Sequence, residues 1–159
     1  MLDHLIAHVG LDREDRAIDL VAGAGQVAVG LAIRLAGVLA LDPEPDTLAQ
    51  LRRRGEEEQV PNLVCVLAAA WDLPALIRAA GEGGWGLLTV PNAPHWMDAE
   101  AVFPRPRGCY APGGGIAVIT HGRPLWLGER DWMRALRAYF EDWLGPGMTA
   151  HDDVAKAPA

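Results

Sequence analysis

The chain has 159 residues, half of them hydrophobic and 22% charged, which is the make-up of one ordinary globular domain and too short for a two-domain enzyme. Fourteen lysines and arginines stand against 21 aspartates and glutamates, a formal charge of -7. With no basic stripe interleaved with aromatics, this argues against nucleic-acid and anionic-membrane partners.

The longest apolar stretch, Val27 to Leu41, is broken by Gly30, Arg34 and Gly37 and falls short of a membrane span. Met1-Leu2-Asp3-His4 lacks the positive charge and apolar stretch of a signal peptide, and Cys65 and Cys109 form no metal-ligand or redox pair. The expectation is a reduced, cytoplasmic protein without a metal site.

In chain order, a helix-length segment at Leu2 to Val9 precedes five short, β-rich and almost continuously apolar runs. These are Ala17 to Val21, Gly37 to Leu41, Leu63 to Leu67, Gly86 to Val90 and Ile116 to Thr120. Runs of this kind are strands covered on both faces. A helical segment follows each: Gln26 to Leu35, Asp46 to Arg54, Leu73 to Ala80, Met97 to about Phe103, and Asp131 to Leu144. In the last of these Trp132, Leu136, Tyr139, Phe140 and Trp143 recur at the spacing of one helical face. Strand and helix alternating this way predict an α/β, Rossmann-like doubly wound sheet of about five mainly parallel strands. Residues 1–147 make up this domain, and the polar, Ala-rich residues 148–159 read as a disordered tail.

In such a fold ligands sit at the carboxyl ends of the strands, near the switch after the first strand. There the chain reads Asp19-Leu20-Val21-Ala22-Gly23-Ala24-Gly25-Gln26. Gly23 and Gly25 let a ligand approach the backbone and the amides of the following helix, or they serve a tight turn alone. The second strand ends in Asp42, an acid placed to accept hydrogen bonds from ribose hydroxyls or to cap the next helix, a task for which Asp46 is better placed. Together they argue for an adenosine-containing ligand. Ala28 stands where a dinucleotide fingerprint has its third glycine, and no phosphate-gripping Arg or Lys lies near, so a ligand without phosphates suits the loop better.

With these pieces in order, the chain resembles the class I S-adenosylmethionine-dependent methyltransferases, and among them the small-molecule group with a His-Trp pair after the fourth strand. Ile18 to Gly25 is similar to their first motif, Leu39 to Pro43 to their second, and Ala70-Trp71-Asp72-Leu73-Pro74 to the segment along the adenine. Pro94-His95-Trp96-Met97-Asp98 resembles the His-Trp signature, and Ala111 to Gly115 the turn into strand five. The resemblance implies S-adenosylmethionine as cofactor, with Asp19, Gly23 and Gly25 at its methionine end, Asp42 at the ribose, and Trp71 and Asp72 bordering the adenine. His95 and Trp96 then stand on the acceptor side as the catalytic pair; the alternative for both is packing of their loop. The implied activity is methyl transfer to a small-molecule substrate in secondary metabolism. The alternatives are a relative that serves as a partner or binding subunit, and a non-methylating enzyme for a cyclisation or rearrangement.

The chain departs from the family pattern at Val21, where the first of three alternating glycines is usual, and at Ala69, where an acid is usual. Pro104, Pro106 and Gly108 interrupt the helix expected there, and no strand-like run follows Gly145-Pro146-Gly147. The expected consequence is an exposed fifth strand covered in a homo-oligomer, such as a dimer.

Overall fold

The computed structural model describes residues 1–81, 84–91, 110–120 and 129–144. The chain divides into two units, Met1–Ile119 and Thr120–Ala159. The second contains one described helix, α5 (Asp131–Leu144), where the spacing predicts it. The first holds α1 (Leu2–Val9), β1 (Arg16–Leu20), α2 (Gln26–Ala32), β2 (Gly37–Asp42), α3 (Pro45–Glu57), β3 (Leu63–Leu67), a 3-10 turn at Ala70–Asp72, α4 (Leu73–Ala80), β4 (Trp85–Pro91) and β5 (Tyr110–Ile119). The helix expected from Met97 lies outside the described residues. No described helix is long and apolar enough to cross a membrane.

The strands form one sheet in the order β3-β2-β1-β4-β5, with every pair parallel. This is the doubly wound arrangement that alternating strands and helices dictate. The chain builds outward from β1 to β2 and β3, then returns to β4 on the other side. The switch point therefore lies between β1 and β4.

Side chains alternate across the strands and give two cores. On one face Ala17, Val38, Ala40 and Leu87 pack with Val27, Ala28, Leu31, Leu48 and Leu51 of α2 and α3, and Leu2, Leu5 and Ile6 of α1 close over them. On the other, Ile18, Leu20, Leu39, Leu41, Leu88 and Val90 pack with Leu73 and Ile77 of α4. Each Leu, Ile or Val among them contributes about 1.5–3 kcal/mol when fully buried.

Several boundaries differ from the sequence reading for local reasons. α2 stops at Ala32 instead of Leu35: the Arg34 and Leu35 amides both donate to the Leu31 carbonyl in a tightened last turn, and Asn62 Nδ2 donates to the carbonyls of Ala32 and Leu35 at 2.8 and 2.9 Å, satisfying acceptors left open at the helix end. α3 begins at Pro45, whose missing N–H costs nothing at the first helical position, so Asp46 lies inside the helix and is not its cap. β5 starts at Tyr110, well before Ile116. Pro112 and three glycines hid this segment, and a register shift opposite Trp85 and Leu87 absorbs its extra residues. The proline is tolerated on an outer strand of the described sheet.

Gln59, just past α3, has φ 56, and Val60 N–H donates to the Gly55 carbonyl in the manner of a glycine-type helix stop. Gln59→Gly is expected to stabilise the protein by about 0.5–1 kcal/mol by removing the left-handed penalty from an exposed residue. Chemical denaturation measures this directly.

Candidate functional site

The carboxyl ends of β1, β2 and β4 bring together Asp19, Asp42 and Thr89. Asp19 and Thr89 are opposite each other in the β1–β4 register, at the switch point itself. Asp19 is 0% exposed, and the Thr89 hydroxyl, equally buried, donates to its Oδ1 at 2.5 Å. Oδ2 of Asp19 has no hydrogen-bond partner among the described residues. Burial pushes the Asp19 carboxyl from its ordinary 3.8 up to about 7; Thr89 and the Ala28 amide pull it down, and the negative charge of Asp42 pushes it up.

Asp42 is 4% exposed and is tied to backbone at both oxygens. Gly23 N–H donates to Oδ2 at 2.8 Å and Glu44 N–H to Oδ1 at 2.9 Å. One carboxylate thus fixes the turn after β1 and the entrance to α3, so the helix-entry role weighed against ribose binding is present. Each oxygen keeps a second lone pair for a further donor.

The two glycines of the turn have different reasons to be there. Gly23, at φ 58, is open: a Cβ added to it meets nothing within 4 Å. Gly25, at φ 84, is closed: a Cβ would lie 2.1 Å from Cδ1 of Leu51, a fully buried residue of α3. Gly25→Ala is expected to cost about 2–4 kcal/mol, combining left-handed strain with overpacking against Leu51. A urea midpoint within error of the wild type contradicts this.

Val21 occupies the left-handed region, at φ 57, which is a strained conformation for a β-branched residue. Its side chain packs against the core beside α4, with Val66, Ala68 and Leu76. The turn therefore adopts a backbone suited to glycine although valine occupies it.

Beyond β3, Ala68 N–H donates to the Asp42 carbonyl, which sets the start of the following turn beside Asp42. Trp71 in that turn is 74% exposed. Asp72 accepts from the Ala69 N–H at 2.9 Å and so closes its own turn. His95 and Trp96 lie outside the described residues.

Thr89 is the site residue that sequence reasoning missed: an apolar run containing one threonine carries no signal until the register places it opposite an acid. A separate open groove of about 640 Å³ between α3 and β3, lined by Arg52, Gly55, Glu56, Gln59, Val60 and Leu63 among others, shares no residue with this site.

Among known proteins, no family model matches the chain. It is 30% identical over 121 residues to an uncharacterised methyltransferase found in Mycobacterium bovis and Mycobacterium tuberculosis, an alignment covering 76% of this chain and 44% of the relative. The chain thus spans less than half the length of that curated relative. Among solved structures, an rRNA methylase from Streptococcus thermophilus superposes with a TM-score of 0.63 at 19% identity, over 92% of this chain and 78% of that one. The geranyl diphosphate C-methyltransferase of Streptomyces coelicolor, solved with Mg2+, geranyl diphosphate and S-adenosylhomocysteine, gives 0.63 at 19% identity over 87% and 50%. The chain has the Rossmann-like fold of the S-adenosylmethionine-dependent methyltransferases and is similar in sequence to proteins that carry the methyltransferase name.

Proposed function

We propose that this chain binds S-adenosylmethionine at the β1–β4 switch and transfers its methyl group to a small-molecule acceptor, in a biosynthetic setting. The observation that carries the reading is the pair of buried carboxylates flanking the open Gly23 turn, one of them with an oxygen that has no partner among the described residues. A buried, unsatisfied carboxylate oxygen at a ligand-binding strand end fits a cationic group such as the ammonium of the methionine moiety.

Asp19 and the Gly23–Gly25 turn take the methionine end. Asp42 uses its remaining lone pairs on the ribose hydroxyls, and the exposed Trp71 indole with Asp72 borders the adenine. Bound there, the sulfonium supplies an electrophilic methyl group for in-line displacement. The chain's own residues align the two reactants and exclude water. His95 is assigned to orient or deprotonate the acceptor, and Trp96 to face the cationic sulfonium.

A small acceptor is favoured over nucleic acid by the net charge of -7, which repels a polyphosphate backbone. The geranyl diphosphate C-methyltransferase, a neighbour in fold that is named for a small acceptor, supports the reading. The strained Val21, in place of the glycine of the resembled pattern, favours a second reading in which the ligand is held without methyl transfer, in a binding subunit or a rearrangement enzyme.

Incubation with methyl-labelled S-adenosylmethionine and a panel of phenols, amines and thiols separates the readings. Label in a low-mass product is the expected result. Binding without transfer favours the second reading, and label in RNA or protein contradicts a small acceptor.

A further inference from the structure

The Thr89 hydroxyl carries one hydrogen and has two acceptors in reach, Asp19 Oδ1 at 2.5 Å and the Ile18 carbonyl at 3.3 Å. It serves one fully at a time. The shorter separation suits donation in either direction between the hydroxyl and the carboxyl. Two arrangements follow. With Asp19 ionised, Thr89 donates to Oδ1 and the buried Ile18 carbonyl loses its hydroxyl partner. With Asp19 protonated, the carboxyl O–H donates to Thr89 Oγ1, whose own hydrogen turns to Ile18, and every hydrogen in the chain has an acceptor.

Burial and the neighbouring Asp42 charge favour the protonated form of Asp19, against two hydrogen-bond donors. β2 presents the Asp42 carboxylate, which opposes a second negative charge; β4 presents the Thr89 hydroxyl and α2 the Ala28 amide, and both donors work the other way. Burial opposes ionisation most strongly. A cationic group at the switch reverses the balance by cancelling the charge that the dry site disfavours.

Resting on the ligand reading above, we propose that Thr89 is a positioning residue that couples ligand uptake to proton release. Burial holds the Asp19 carboxyl protonated in the ligand-free site, and an ammonium group seated at the switch draws that proton off to solvent, leaving a carboxylate that the Thr89 hydroxyl stabilises. The Asp19 O–H bond breaks, the proton leaves to the buffer, and the Thr89 hydrogen turns from Ile18 to Asp19 Oδ1. No other bond changes.

Calorimetric titration with S-adenosylhomocysteine in two buffers of different ionisation enthalpy counts the protons. About one proton is released per ligand at pH 6 and close to none at pH 8.5. 5′-Methylthioadenosine, which has the adenosine but not the ammonium, releases none at either pH. A 13C carboxyl titration of Asp19 in the ligand-free protein gives a midpoint near 7. Thr89→Val moves that midpoint up by about one pH unit, and Thr89→Ser restores it.

Binding of S-adenosylhomocysteine with no proton released at pH 6, or a ligand-free Asp19 midpoint near its ordinary 3.8, overturns the coupling and leaves the ligand reading standing. A Thr89→Val midpoint equal to the wild type removes Thr89 from it. No binding of either nucleoside at any pH overturns the ligand reading, and the coupling with it.

Discussion

Replacing Asp42 with alanine is expected to weaken binding of S-adenosylhomocysteine by at least about 100-fold and to lower stability by about 2–4 kcal/mol. The stability loss comes from the N–H groups of Gly23 and Glu44, which lose their acceptor, at about 1–3 kcal/mol each when buried. The affinity loss has two parts. Two charge-assisted hydrogen bonds to ribose hydroxyls are worth about 1.5 kcal/mol or more each, and the Gly23 turn that receives the ligand is no longer fixed. Asp42→Asn retains one acceptor oxygen and should fall between. Denaturation and equilibrium binding on the same variants separate the two parts: loss of stability with unchanged affinity assigns Asp42 to the turn alone.

The second large effect is a pH dependence. In the unfolded chain Asp19 titrates near 3.8, and in the fold burial raises it to about 7. Between these values the folded state holds the extra proton. Stability therefore falls as pH rises through this window, by at most about 1.4 kcal/mol per unit, and levels off above pH 7. Asp19→Asn keeps an oxygen to accept from Thr89 and carries no charge. Its stability relative to the wild type should climb between pH 4 and pH 7 and then stay constant. Thermal or urea unfolding across this range checks it, and parallel profiles for the two proteins contradict it. The same variant should bind S-adenosylhomocysteine more weakly at every pH above 7, where the wild-type carboxylate is charged.

β1, β2 and β4 were legible because parallel strands covered on both faces must be apolar almost throughout; the run at 63–67 has no competing helical period, although the structure leaves its Val64 and Leu67 more than half exposed. β5 was only half legible: Pro112 and Gly113 to Gly115 look like a turn, and only pairing with β4 makes them strand. Asp19, Gly23, Gly25 and Asp42 could be placed at one strand edge from sequence, since each sits at a strand end or in the turn beyond. Their mutual bonds could not. That Asp42 holds Gly23, that Leu51 closes over Gly25 and that Thr89 meets Asp19 are facts of register and helix packing between segments 19 to 70 residues apart. The helix entrance was misread for a simpler reason. Asp46 looked like a cap, but Pro45 already fixes the first helical position, and Asp42 ties down the Glu44 amide.

Direct calorimetric titration with S-adenosylmethionine and S-adenosylhomocysteine tests whether the β1–β4 switch receives S-adenosylmethionine. Saturable 1:1 binding of both, weakened at least about 100-fold in Asp42→Ala, is the predicted result. No heat and no thermal shift at millimolar concentrations of either ligand would contradict it.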